Sequence, residues 1–249
     1  MRIWNRRAEV IRVRILRPWP RRAELILVRI LHTWTGRAQV VRAGALAMLA
    51  AALTGCAPRL GPLVGAPAPA RLPAATLGTH HRHLVFTWEL DAADGIARGK
   101  GAARLAPPDS ARLDFFLAGG MGSGAAVLIG NVLRLPPGGD AVGLLPPPAL
   151  LWAALGRLAV PSVADTVARM DGTVLRADLG RPVQWRATFA GDTLRRLEHV
   201  EDGRVREWVA RTADGHVRYR NESDRRTIDL VITTSVDTGP FDATLWSFR

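Results

Sequence analysis

The chain reads as an α+β protein that is mainly β, a strongly curved antiparallel sheet forming an incomplete half-barrel around one or a few apolar helices. Three observations predict it. Segments such as Val183-Gln184-Trp185-Arg186-Ala187-Thr188-Phe189 alternate apolar and polar residues, the period-2 signature of a half-buried strand. Turn pairs recur at Gly191-Asp192, Asp202-Gly203 and Asp214-Gly215, about every 12 residues, which suits short strands in a sheet that curls. One segment, Ala149 to Leu158, is apolar almost throughout and sits between prolines and a glycine, the marks of a short buried helix.

In chain order, strands start at His83-Leu84-Val85-Phe86-Thr87-Trp88-Glu89-Leu90. A turn at Asp91-Ala92-Ala93-Asp94-Gly95 leads to a second strand, Ile96 to Leu105. Pro107-Pro108-Asp109-Ser110 turns into Arg112 to Leu117, where Leu113, Phe115 and Leu117 share a face. A Gly-rich loop, Gly119 to Gly124, precedes a strand through Ala125, Val127 and Ile129, and another runs from Val132 to Leu135. Pro146-Pro147-Pro148 opens the helix, which places Leu151, Leu155 and Leu158 on one stripe. The last third reads as an antiparallel meander that includes Thr227 to Ile232. About ten strands are expected, with an apolar face toward the helix and an Arg, Thr, Asp and Glu face toward water.

The N-terminal third is different. Residues 1–42 repeat with a period of 15: Trp4-Asn5-Arg6-Arg7-Ala8-Glu9 returns as Trp19-Pro20-Arg21-Arg22-Ala23-Glu24 and, decayed, as Trp34 onward. This is shorter than the repeat periods of solenoid proteins. We read residues 1–39 as a repetitive extension ahead of the true start, with initiation near Val40 or Val41; a basic arm on a membrane face is the alternative.

An apolar run, Ala43 to Ala52, follows Arg37 and Arg42 and ends in Leu53-Thr54-Gly55-Cys56, which contains the chain's only cysteine. The run is shorter than the roughly 20 residues of a relaxed membrane span. It fits the apolar region of a secretory signal peptide. Small residues directly before that cysteine resemble a bacterial lipobox. The resemblance implies that residues 1–55 are a signal peptide and that Cys56 is the first mature residue, carrying fatty acyl chains (palmitate among them). A short apolar helix ending in a free cysteine is the plainer alternative. Residues 56–80, rich in Pro and Gly without periodicity, are expected as a semi-extended tether, and residues 81–249 as the domain.

The charge supports this division. The whole chain carries +12, which by itself suggests a polyanionic partner. Residues 1–55 hold 11 Arg and 2 Glu, or +9; the rest has 23 basic and 20 acidic residues, or +3. Nucleic-acid binding is therefore not expected. With Cys56 acylated no cysteine is left for disulfides, and the 194 mature residues must rely on packing.

Lipobox, tether, curled sheet and central Leu/Pro helix together resemble the lipoprotein carriers LolA and LolB, most closely the lipoprotein receptor LolB. Arg112-Leu113-Asp114-Phe115-Phe116-Leu117-Ala118-Gly119-Gly120-Met121-Gly122-Ser123-Gly124 is similar to the LolB-like strand and its loop. There an exposed apolar residue inserts into the membrane; Met121 holds that position here. Gly120 stands where a proline is usual, and three consecutive prolines shorten the lid helix. The resemblance implies an apolar cavity that binds acyl chains of other lipoproteins, received from a periplasmic carrier. It also implies a monomer, lipid-anchored at the outer membrane and facing the periplasm. Candidate cavity residues are Phe86, Trp88, Leu113, Phe115, Leu151, Trp152, Leu155, Trp185 and Phe189; the alternative for each is ordinary core. Ala57 after the cysteine, rather than Asp, gives no inner-membrane retention signal.

No catalytic constellation is legible, so no enzyme and no cofactor are expected. His80-His81-Arg82-His83 lacks other ligand residues at metal spacing. Gly119 to Gly124 lacks the lysine and following helix of a phosphate loop, and Gly122-Ser123-Gly124 lacks the strand-to-helix turn of a nucleophile elbow. A structural or assembly lipoprotein, docking a protein partner with the same half-barrel, is the second functional reading.

Overall fold

The computed structural model describes residues 57–120, 122–137, 145–161 and 165–248, all within a compact unit spanning Gly55–Arg249. The repeat, the apolar run, Cys56 and Met121 lie outside the described residues.

Among the described residues, thirteen strands form one antiparallel sheet. They are β1 (Ala66–Ala68), β2 (His81–Ala92), β3 (Gly95–Ala106), β4 (Ser110–Leu117), β5 (Ser123–Ile129) and β6 (Val132–Arg134), then β7 (Thr166–Asp171), β8 (Val174–Leu179), β9 (Trp185–Ala190), β10 (Thr193–Glu201), β11 (Arg204–Arg211), β12 (His216–Asn221) and β13 (Arg226–Thr238). The spatial order is β1-β7-β8-β9-β10-β11-β12-β13-β2-β3-β4-β5-β6. Two meanders, β2–β6 and β7–β13, are thus joined where β13 pairs with β2 over Thr227↔Asp91 to Thr238↔His81. The end strands β1 and β6 are three residues each and do not pair with one another, so the sheet stays open. Short edge strands offer little template for unwanted pairing.

The sheet curves because strands bend at extra residues. Arg195 is inserted in β10 opposite β9, and Thr233 in β13 opposite β2. Bulges of this kind kink a strand and increase its twist.

The only α-helix among the described residues, α1 (Pro148–Leu155), crosses the concave face between β6 and β7. Pro148 starts it with a pre-set φ and no N–H to satisfy. Gly156 ends it in the left-handed conformation, φ 96°. Residues Ala149 to Leu155 are all buried. A helix apolar on every side belongs inside a core, and α1 divides this one. Ala149, Leu150, Ala153 and Ala154 pack on β7–β12 with Phe189, Leu197 and Trp185. Leu151, Trp152 and Leu155 pack on β2–β5 with Phe86, Leu105 and Leu113.

The Pro/Gly-rich segment, expected as a semi-extended tether, is docked instead. From Ala57 onward it lies along the domain. Val205 N–H donates to the Pro58 carbonyl at 2.9 Å, and Leu60 N–H to Gly203 at 2.8 Å. Arg186, only 9% exposed, grips Asp178 through Nε and Nη2 (2.6 and 2.9 Å) and donates from Nη1 to the Gly61 carbonyl at 2.8 Å. Ala66–Ala68 then pairs with β7, and Ala75 and Leu77 enter the core. Prolines suit this path because an edge segment needs few backbone donors.

Candidate functional site

Alternation along β2, β4 and β13 decides what the concave face shows. Leu84 and Phe86, Leu113 and Phe115, and Ile228, Leu230 and Ile232 point inward; Thr87, Glu89, Asp114 and Asp229 point out. Opposite Phe86 and Trp88, β3 places Gly101 and Gly99. A Cβ on Gly101 would sit 2.3 Å from the Phe86 ring, and one on Gly99 3.0 Å from Trp88 Cζ2. The two glycines let both aromatic rings lie across β3. Phe115 then meets Phe86 edge-on at 5.8 Å and Trp88 at 6.1 Å between centroids, a favoured aromatic geometry.

Between these side chains and α1 is an inner pocket of about 60 Å³, lined by Leu84, Phe86, Leu113, Phe115, Leu151 and Leu155 together with Leu145, Tyr219 and the inward residues of β13. One water needs about 10–15 Å³ of such volume, so the pocket accepts only a few atoms as it stands. It continues outward, across Phe115, Leu145 and Ile228, into a groove of about 470 Å³. Trp88, Leu90, Ile96, Ala97, Leu117 and Gly124 complete the groove walls. Ile96 is 63% exposed and Leu117 38% at its rim. The result is an apolar cleft, wide at the β2–β3 turn and nearly filled under the helix.

One polar group reaches the inner pocket. Tyr219, 1% exposed, donates from its hydroxyl to Glu207 Oε1 at 3.0 Å, and Asn221 Nδ2 donates to the same oxygen at 2.7 Å. Burial, above all, raises the phenol's pKa above its ordinary value. The hydroxyl is therefore a neutral donor with its partner supplied, which leaves the pocket wall without a free charge.

The predicted cavity residues separate into three groups. Phe86, Leu113, Phe115, Leu151 and Leu155 line the inner pocket, and Trp88 the outer groove. Trp152 faces away, fully buried, with Nε1 donating to the Gly130 carbonyl at 2.6 Å and Arg157 stacked 4.8 Å above its ring. Trp185 and Phe189 belong to the packed core on the β7–β12 side, with Trp185 stacked on His199 at 4.6 Å. Sequence reasoning missed Gly99, Gly101 and Tyr219. The Gly-Lys-Gly spacing inside a strand was the available signal, since strand glycines mark close approach.

Met121 falls between described neighbours. Gly119 and Gly120 take φ of 82° and 73°, and Leu117 N–H donates to the Gly122 carbonyl at 3.0 Å, closing a tight loop beside the groove. Among the described residues no group of three or more His, Cys, Asp or Glu is placed to hold a metal, and no helix is long and apolar enough to cross a membrane.

No family model matches the chain, and no curated protein matches it. Solved structures do. A candidate outer membrane lipoprotein-sorting protein domain from Vibrio parahaemolyticus aligns with TM-score 0.42 and 7% identity, over 68% of this chain and 90% of its own. A LolA superfamily protein from Nitrosomonas europaea gives 0.41 and 10%, over 68% and 91%. A DUF1329 family protein from Desulfovibrio piger gives 0.40 and 8%, over 68% and 90%. LolB is not named among these three. At such identities and scores, the chemistry has to be read from this chain's own residues.

Proposed function

We propose that this protein is a non-enzymatic lipoprotein, held by acyl chains on Cys56 and facing the periplasm, that binds acyl chains of other lipoproteins and assists their localisation at the outer membrane. The observation that carries the reading is the continuity of the apolar cleft, from Ile96 and Leu117 at its rim to Leu151 and Leu155 under α1. Each methylene moved from water into such a slot contributes about 0.8 kcal/mol. A chain seated first in the outer groove would gain its remaining contacts as α1 moves off the sheet, and would leave by the reverse path. Met121, between Gly120 and Gly122 in sequence, is proposed as the residue that enters the bilayer during delivery.

Binding of a fluorescent palmitoyl probe to the purified chain, displaced by a diacylated lipopeptide, tests the cleft. Phe115→Asp and Leu90→Asp should abolish binding, while Trp185→Phe, in the packed core, should retain it. Equal binding by all three variants would refute the site. Met121→Glu should still bind the probe yet fail to pass lipopeptide to vesicles; full transfer by that variant would refute its membrane role.

A second reading has its own support. The outer face of β2, β3, β12 and β13 carries a groove of about 840 Å³ lined by Glu89, Arg98, Lys100, Arg218, Asp229 and the half-exposed Phe116. An assembly lipoprotein could dock a protein partner there. Depletion separates the two: a lipoprotein receptor should leave many lipoproteins mislocalised, an assembly factor one complex.

A further inference from the structure

At the C-terminal end of α1 the concave face changes from apolar to cationic. Arg211 closes β11 on the inward side, and Arg82 lies near the start of β2. Both line a pocket of about 240 Å³ with Thr76, Gly78, Gly156 and Thr193. Gly156 matters here, because a Cβ on it would lie 2.1 Å from Arg211 Nη1; only glycine lets that guanidinium rest against the end of the helix. Arg195, the inserted residue of the β10 bulge, adds a third guanidinium close enough to repel Arg211.

No ion pair answers these charges among the described residues, although Asp237 of β13 is the register partner of Arg82. Asp192 is the one carboxylate among the lining residues, and it is exposed and paired with neither arginine. The side chains of Arg211 and Arg195 make no hydrogen bond or ion pair among the described residues. Arg82 donates from Nη2 to the Leu77 carbonyl at 3.2 Å, while its Nε is buried without a partner. Burial, and then repulsion by Arg82 and Arg195, lowers the pKa of Arg211. The C-terminus of α1 offers only about half a negative charge. Of these three guanidinium groups Arg82 is the one with a buried nitrogen lacking an acceptor, and phosphate oxygens match guanidinium geometry.

We propose that this pocket is a binding site for one phosphate group, held by Arg82 and Arg211 with Arg195 supplying further positive charge. The site is separate from the cleft mouth and does not depend on the cleft binding lipid. The phosphate could belong to a lipid headgroup or to a free small molecule, and the two are separable by experiment.

Calorimetric titration of the full chain with inorganic phosphate, at constant ionic strength in chloride, should show saturable binding. Arg82→Gln and Arg211→Gln should each weaken it about tenfold or more. Arg134→Gln, on the exposed edge strand, should not change it. Arg195→Gln, which removes only the more distant charge, should weaken it less and covers the case in which Arg211→Gln does not fold. Short-chain phosphatidic acid binding at least tenfold tighter than phosphate assigns a lipid source; equal or weaker binding assigns a free phosphate. Absence of saturable binding by the wild type to either ligand, or equal weakening by Arg134→Gln, overturns the proposal.

Discussion

Replacing Leu151 by alanine perturbs the wall between helix and sheet, and its cost can be worked from the packing. Leu151 is 5% exposed and lines the inner pocket beneath α1. The substitution removes three buried carbons, about 2.4 kcal/mol at roughly 0.8 kcal/mol each. The space released joins an existing pocket of about 60 Å³. That void adds a further penalty of about 24 cal/mol per Å³ left unfilled, so a total near 3–4 kcal/mol is expected. For a domain of this size each kcal/mol lowers Tm by about 2–4 °C, so the fall should be about 6–16 °C. Urea titration followed by tryptophan fluorescence measures the loss, with an unchanged m-value as the sign that the native state is otherwise intact. The same variant has a larger inner pocket, so a palmitoyl probe should bind at least as tightly as to the wild type and restore part of the lost Tm. A loss below about 1 kcal/mol would show that α1 does not pack through Leu151. A normal stability loss with no rescue by the probe would place the acyl chain elsewhere.

Gly101→Ala should destabilise by about 1–3 kcal/mol, because the new methyl overlaps the Phe86 ring; urea unfolding measures it, and a neutral result would mean the ring moves freely. Asp178→Ala should cost about 3–5 kcal/mol by leaving the Arg186 guanidinium buried without its carboxylate. Limited proteolysis of that variant should also show faster cleavage near Gly61, whose carbonyl Arg186 holds. Tyr219 is the only tyrosine in the chain, so ultraviolet absorbance at high pH reports it alone. Its folded pKa lies above the unfolded value of about 10, so its contribution to stability is intact below pH 10 and is lost as pH rises beyond it. Tyr219→Phe should remove that alkaline decline, and an ordinary phenol titration in the folded wild type would refute the burial argument.

Much of this architecture is written locally. Pro148 and Gly156 bracket α1, and glycines at 191, 203 and 215 take positive φ of 56°, 66° and 89° at the turns the spacing marks. Period-2 alternation assigned Phe86, Leu113 and Phe115 to the inward face. It could not say whether that face is filled. Trp152, Trp185 and Phe189 look the same in sequence as Phe115, but a helix crossing the sheet turns their surroundings into solid core. Part of the gap between about ten expected strands and the thirteen described is β1, a three-residue pairing with no pattern of its own inside the Pro/Gly-rich segment. The docked path of the segment from Ala57 to His80 is hidden in the sequence for a related reason. Proline and glycine content describes the chain's own stiffness, whereas its path is set by Arg186 and Arg204, more than 100 residues away.

That docked segment bears on how the body would sit at a membrane. Ala57 is buried, its carbonyl accepts from Arg204 Nη1 at 3.1 Å, and Pro58 and Leu60 are bonded to the β10–β11 turn. Cys56 is one peptide unit away, about 3.8 Å between Cα atoms. If Cys56 is acylated, there is almost no leash. The β10–β11 turn belongs to the same set of alternate hairpins as the β2–β3 and β4–β5 turns that frame the cleft mouth. The body would then pivot about a point fixed to its own edge rather than drift above the lipid. Lengthening the chain after Cys56 would loosen that pivot without touching the cleft.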